Sequence, residues 1–178
     1  MGASQTGQRI AMAKLMFFCG KMAAGKSTLA RQLAERDHAV LLSQDALLDA
    51  LFPNLIVNVA SYIEYAGRIN KAIAPLVVDL LSKGVSVVLD FPANTRNQRA
   101  WFREIIERTR VDHELHYLDT PDDIAKAQLR ARSAHLPPGT KWTTDEDFEL
   151  IASHFRAPEP DEAFNVIPHR REWPPGQG

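Results

Sequence analysis

At 178 residues, 45% hydrophobic and 24% charged, the chain is long enough to bury a core within one domain and too ordinary in composition for a disordered or fibrous polymer. Its 21 basic and 22 acidic residues leave a formal net charge of −1, so no global field draws it to nucleic acid or to a membrane surface. A single cysteine, Cys19, excludes an internal disulfide; within an apolar run it reads as a small core residue of a reducing, cytoplasmic environment.

The first residues, MGASQTGQRIAMAKL, carry no hydrophobic region suited to a signal peptide, and residues 1–13 read as a flexible leader. Gly2 and Thr6 match the loose M-G-x-x-x-[ST] acylation pattern, which arises readily by accident. No apolar run approaches the length of about 18 residues that a membrane helix needs. The first strand is expected at Leu15–Cys19 (LMFFC), followed by a glycine-containing loop and a helix over Lys26–Arg36. A second strand over Ala39–Ser43 leads into Gln44-Asp45 and an apolar segment, ALLDALFPNLI.

A long helical pattern over Ser61–Ser82 stops at Gly84, with Pro75 predicting a kink or a break. Further strands are expected at Val85–Leu89, Glu114–Leu118 and Phe164–Ile167. Between them, Thr95–Arg108 sets Trp101, Phe102, Ile105 and Ile106 on one helical face, and Pro121-Asp122-Asp123 opens a helix running to about Arg132. A short helix opened by Thr144 lies in the proline-containing stretch that follows. Strands alternating with helices, two of them apolar almost throughout, predict an α/β fold: a five-stranded parallel sheet sandwiched between helices. The domain should span residues 14–168, with a small arginine-bearing lid at about 130–143 and a flexible tail over 169–178.

The chemistry begins at Gly20-Lys21-Met22-Ala23-Ala24-Gly25-Lys26-Ser27, which fills every fixed position of G-x-x-x-x-G-K-[ST] between a strand and a helix. The glycines let backbone N–H groups turn inward as an anion nest at the positive end of the helix. Lys26 reaches the β- and γ-phosphates, Ser27 offers a hydroxyl to Mg²⁺, and Thr28 serves the edge of the site. A Mg²⁺-nucleoside triphosphate is the expected ligand. A guanine-specific switch would need an Asn-Lys-x-Asp segment, and Asp119-Thr120-Pro121-Asp122 lacks it, which favours ATP.

Two carboxylates follow later strands. Asp45 either accepts the proton of an attacking hydroxyl or caps the helix beginning at Ala46; its position permits both. Asp90, ending the third strand, either serves the metal and the acceptor or bonds a neighbouring loop.

With these motifs the chain resembles the small P-loop kinases grouped with polynucleotide kinase, chloramphenicol phosphotransferase and the zeta-type toxins. The likeness covers about residues 14–168 and rests on FFCGKMAAGKSTLARQLA, SQD, VVLDFPANTRNQR, AQLRARS and FRAPEPDEAFNVI. It implies that Asp45 is the general base, that Asp90 belongs to the acceptor and metal region, that Asn94 and Arg99 face the acceptor, and that Arg130 and Arg132 are candidates to stabilise the transferring phosphate, with Arg130 preferred. Polynucleotide kinases carry an arginine three residues after the catalytic aspartate; Leu48 stands there instead, which argues against a nucleic-acid acceptor. The expected activity is ATP-dependent transfer of the γ-phosphate to a hydroxyl of a small molecule. A polynucleotide or nucleotide-sugar kinase and a non-catalytic ATP-dependent switch are the alternatives. The oligomeric state is left open.

Overall fold

A computed structural model describes residues 12–137, 140 and 143–170. The leader expected at 1–13 and the tail at 169–178 fall almost entirely outside the described residues, as do residues 138–139 and 141–142 of the expected lid. Five strands, β1 (Lys14–Cys19), β2 (Val40–Ser43), β3 (Val87–Pro92), β4 (Asp112–Asp119) and β5 (Val166–Arg170), form one sheet in the order β2-β3-β1-β4-β5. Every pairing is parallel. Among the described residues six α-helices connect them: α1 (Lys26–Arg36), α2 (Gln44–Leu51), α3 (Val59–Ser82), α4 (Arg96–Thr109), α5 (Asp122–Ser133) and α6 (Asp145–Ala152). The α/β sandwich predicted from the alternation is the fold.

Strand β1 shows why its residues are apolar on both sides. Leu15, Phe17 and Cys19 pack with Val77, Leu81, Phe102 and Ile105 from α3 and α4, while Met16 and Phe18 pack with Ala30, Leu33 and Ala34 from α1. Period-two alternation thus serves two layers at once. Phe17 stacks on Phe102 with ring centroids 4.3 Å apart, tying the central strand to α4.

Boundaries moved where turns competed with strands. Val85 lies outside β3 because its N–H closes the end of α3 on Leu80 O at 3.0 Å while Gly84, at φ 82°, donates to Leu81 O. At its other end β3 runs through Asp90 to Pro92 rather than stopping at Leu89. Phe164 is likewise drawn off β5 to pack edge-on against Phe17 and beneath the Arg103 guanidinium, 4.0 Å from its ring. Pro75 does not break α3: it sits on the exposed side, as does Lys71 four residues before it, so water can satisfy the carbonyl its ring leaves without a donor. Pro168 is tolerated because β5 is an edge strand.

Candidate active site

The strand order brings three loops to one edge of the sheet. β1 and β2 flank β3, so the ends carrying the glycine loop, Asp90 and Asp45 are neighbours although they lie up to 70 residues apart in sequence. Asp90 pairs in register with Ser43 of β2, and the β1–β3 ladder slips beside it, from Phe17 opposite Leu89 to Phe18 opposite Pro92. Such an irregularity sharpens local twist and re-aims the residues at the strand end.

The loop itself is built by two left-handed residues, Ala23 at φ 58° and Gly25 at φ 96°, which turn the chain into the first turn of α1. Gly20 is required for a different reason. A Cβ there would meet Leu118 O at 3.0 Å and Leu118 Cβ at 3.1 Å, so the glycine permits β1 to leave the sheet close to β4. Its N–H does not face a phosphate: it donates to Asn94 Oδ1 at 2.9 Å. The expectation that the whole loop offers inward N–H groups is corrected at that position.

Lys26 folds back over the loop, donating to the carbonyls of Gly20 and, at 2.7 Å, of Lys21. Burial beneath the loop pulls its pKa down to about 8, against the opposing pull of nearby groups that include Asp90 and Asp45. Lys21 points away, pairing with Asp122 at the start of α5 and lying over the Phe155 ring. Met22 and Ala23 pack on Ala125, Leu129 and Phe148, so the loop's tip rests on α5 and α6. Ser27 and Thr28 are exposed in the first turn of α1.

Asp45 does not cap α2. The helix starts one residue earlier, at Gln44, and Ser43 Oγ accepts the Ala46 N–H at 3.4 Å. Among the described residues no hydrogen bond or ion pair engages the Asp45 carboxylate. Protein packed around it raises its pKa through desolvation, reinforced by the charges of Asp90 and Asp49 and opposed by Lys26 and Arg132. The carboxylate remains open to solvent on its outer side.

Two acceptor-facing expectations are corrected. Asn94 is a structural clamp: its side chain holds Gly20, its N–H donates to Gln98 Oε1 at 2.8 Å and its carbonyl accepts from Arg156 N at 2.8 Å. Arg99 is 0% exposed and spends its guanidinium on Glu162 at 2.6 and 2.8 Å and on the carbonyls of Ala93, Arg156 and Ala157. Nothing remains for an acceptor. Of the two lid arginines, Arg130 is paired with Asp145 at 2.7 Å, whereas the charge of Arg132 acts on both Lys26 and Asp45.

The structure adds residues that the motifs did not single out. Gln44, 3% exposed and next in sequence to Asp45, accepts from Tyr62 Oη at 2.9 Å and donates to Asn70 Oδ1 at 2.9 Å, tying the start of α2 to α3. Its place within SQD was the available signal. Among the described residues no group of three or more His, Cys, Asp or Glu forms a metal-binding cluster. Ser27, next in sequence to Lys26, is exposed at the start of α1, and the charge of Asp90 acts on Lys26. No described helix is long and apolar enough to cross a membrane.

Solved structures share the fold. A protein of Chloroflexus aurantiacus described only as a proposed kinase aligns at TM-score 0.68 and 18% identity, over 90% of this chain and 86% of that one. Kti12 of Chaetomium thermophilum, in complex with ADP-AlF3, aligns at 0.62 and 17% over 92% and 91%. The APS kinase of Mycobacterium tuberculosis, in complex with AMPPNP and APS, aligns at 0.55 and 19% over 93% and 91%. No curated protein matches the chain. A family profile described as an AAA domain matches residues 15–158, from the first core strand to the residues just after α6, and the chain belongs to that family.

Proposed function

We propose that the protein is an ATP-dependent phosphotransferase that moves the γ-phosphate to a hydroxyl of a small molecule, with Asp45 as general base. One observation carries this reading: a carboxylate with no hydrogen-bond or ion-pair partner among the described residues follows β2 at the sheet edge that carries the glycine loop, where the charge of Lys26 acts on it. A pure nucleotide-binding switch has no need of such a group.

In the transfer, the acceptor oxygen attacks the γ-phosphorus as its proton passes to Asp45, and the bond from the γ-phosphorus to the β–γ bridging oxygen breaks to release ADP. Lys26 would exchange its loop carbonyls for the β- and γ-phosphate oxygens. Arg132, on an exposed stretch of α5, would meet the charge that develops on the equatorial oxygens. Bound Mg²⁺, held by Ser27 with Asp90 nearby, would neutralise phosphate charge and orient the terminal group. ATP and Mg²⁺ are thus the proposed cofactors, with residues 20–28 cradling the phosphates. The domain of residues 14–168 is proposed as the catalytic unit, and a small-molecule acceptor as its partner. Leu48, 3% exposed in the core, leaves no cation on α2 for a nucleic-acid phosphate.

The narrower likeness to polynucleotide kinase, chloramphenicol phosphotransferase and the zeta-type toxins supports the base assignment through SQD and VVLDFPANTRNQR. APS kinase, which shares the fold, acts on a small molecule and gives the same direction. The switch reading draws on one observation, the packing of Met22 and Ala23 against α5 and α6, by which nucleotide occupancy would alter that surface.

The test is to incubate the protein with ATP, Mg²⁺ and a metabolite library and to look by mass spectrometry for addition of one phosphate. Asp45→Asn should lower kcat by about 10³-fold or more while ATP affinity holds, as expected for a lost base. Because the raised pKa of Asp45 means the folded state disfavours its charged form, Asn should also raise the melting temperature at pH 7. Wild-type rates in Asp45→Asn would sink the base assignment; tight ATP binding with no phosphorylated acceptor would favour the switch.

A further inference from the structure

The first residue of the glycine loop is held by a side chain that stands in for a backbone group. Strand β3 ends at Pro92, which has no N–H to donate. Ala93 N–H then donates to Phe18 O at 3.1 Å, and one residue further on it is the Asn94 side chain, not its backbone, that takes the Gly20 N–H, at 2.9 Å. The asparagine oxygen thus carries the β1–β3 ladder one step past the end of the strands. Residue 94 is itself fixed at both backbone groups. Its N–H donates to Gln98 Oε1 at 2.8 Å, beside the capping box that opens α4, and its carbonyl accepts the Arg156 N–H at 2.8 Å. The side chain is therefore preorganised toward Gly20 by a supporting shell of its own.

The segment that supplies Arg156 meets the loop a second time. The ring of Phe155 lies 5.8 Å from Lys21 Nζ. Residues 155 and 156, between α6 and β5, thus reach both of the first two loop residues, one directly at Lys21 and the other through Asn94 at Gly20. Arg99 continues the chain of contacts, donating to Arg156 O at 2.8 Å and to Glu162 at 2.6 and 2.8 Å. On its other side Gly20 gives its carbonyl to Lys26. When Lys26 turns to a phosphate, as proposed above, the Gly20 peptide loses that bond and keeps the one to Asn94. The turn made at Ala23 and Gly25 is then built out from a point that Asn94 fixes.

Resting on the reading of this loop as the phosphate site of a nucleotide, we infer that Asn94 is the positioning residue of the loop and that, through Asn94 and Arg156, nucleotide binding is linked to the segment joining α6 to β5. Asn94 touches no phosphate in this role; it acts through Gly20. The linkage is reciprocal. A segment that steadies the loop favours the nucleotide, and a nucleotide that orders the loop makes the bond from Arg156 to residue 94 open less often.

The experiment takes the whole chain with and without Mg²⁺-ADP and reads amide hydrogen exchange and calorimetric titration. In wild type, ADP should slow exchange of the Arg156 N–H, and more than that of the Val85 N–H, which bonds Leu80 O at 3.0 Å at the opposite end of the sheet and reports overall stabilisation. Asn94→Ala deletes the oxygen that holds Gly20 and leaves the carbonyl of residue 94 for Arg156. It should raise the Kd for ADP by roughly 10-fold, the range for one lost hydrogen bond, and abolish the extra slowing at Arg156. A merely structural Asn94 would lower the melting temperature of the variant and leave the Kd for ADP where it is. Equal slowing at Arg156 and Val85 in wild type or an unchanged Kd in the variant would overturn the inference. So would an Arg156 response that survives the substitution, which would make Asn94 a direct phosphate contact. The wild-type exchange decides the matter even if the variant does not fold. ADP bound no more tightly by wild type than by Lys26→Ala would overturn the nucleotide-site reading and this one with it.

Discussion

Two helices of this protein carry clustered arginines, and they use them in opposite ways. On α4, Arg96, Arg99 and Arg103 recur at helical spacing and all three clasp the segment between α6 and β5: Arg96 holds Glu159 and Asp161, Arg99 holds Glu162, and Arg103 donates to the Glu162 carbonyl. On α5, Arg130 and Arg132 are exposed; Arg130 makes a surface pair with Asp145, and among the described residues no ion pair holds Arg132. An arginine whose donors are consumed in the resting protein can only maintain structure. One left uncommitted, yet close enough for its charge to act on Lys26 and Asp45, is available for charge that appears during a reaction.

The difference can be broken at each end. Arg132→Ala should reduce phosphoryl transfer by about 10³-fold or more, the range seen for an arginine that meets the transferring phosphate, with a urea midpoint close to wild type. A large fall in stability in that variant would place Arg132 in the structural class. Arg99→Ala should do the reverse. It strands the Glu162 carboxylate and the carbonyls of Ala93 and Arg156, costing about 3–5 kcal/mol in urea unfolding. Burial alone would raise the pKa of Glu162, but hydrogen bonds from Arg99 and the Glu159 N–H outweigh it and hold the carboxylate below its ordinary value. The stability the pair contributes is accordingly present at neutral pH and is lost as pH falls through that depressed pKa. The smallest change sharpens the comparison within α5: Arg130→Ala removes an exposed pair worth about 0.2–1 kcal/mol and should leave kcat within a few-fold. A 10³-fold loss there would reinstate Arg130 as the phosphate contact.

The glycine loop was legible because its chemistry is local: eight consecutive residues specify the turn, the lysine and the helix start. Asp45 and Asp90 were legible as strand-end acids, but the choice between base and cap was not. The structure excludes the cap alone: the Ser43 side chain takes the Ala46 N–H, so Asp45 is left without a capping bond. Gln44 sat in plain view beside Asp45 and drew no attention, since its significance depends on Tyr62 and Asn70, 18 and 26 residues further on.

Arg99 shows most clearly why an expectation fails. In VVLDFPANTRNQR it follows a catalytic-looking strand, and a solvent-exposed arginine there would face an acceptor. Its partner Glu162 lies 63 residues away in a proline-containing stretch with no periodic pattern of its own. Asn94 was misplaced for the same reason, its side chain being taken by Gly20, 74 residues earlier.

The sequence by itself determined the strand–loop–helix of the nucleotide site, the alternation of strands and helices, and the two-sided apolar character of β1, because each depends on neighbours within a turn or a strand. Only the tertiary structure decided which charged side chains are free. The order β2-β3-β1-β4-β5 sets Asp45 and Asp90 beside Lys26, folds Arg99 against Glu162 and leaves Arg132 open. Whether a side chain is spent on structure or available for chemistry depends on partners that only the folded chain brings within hydrogen-bonding distance.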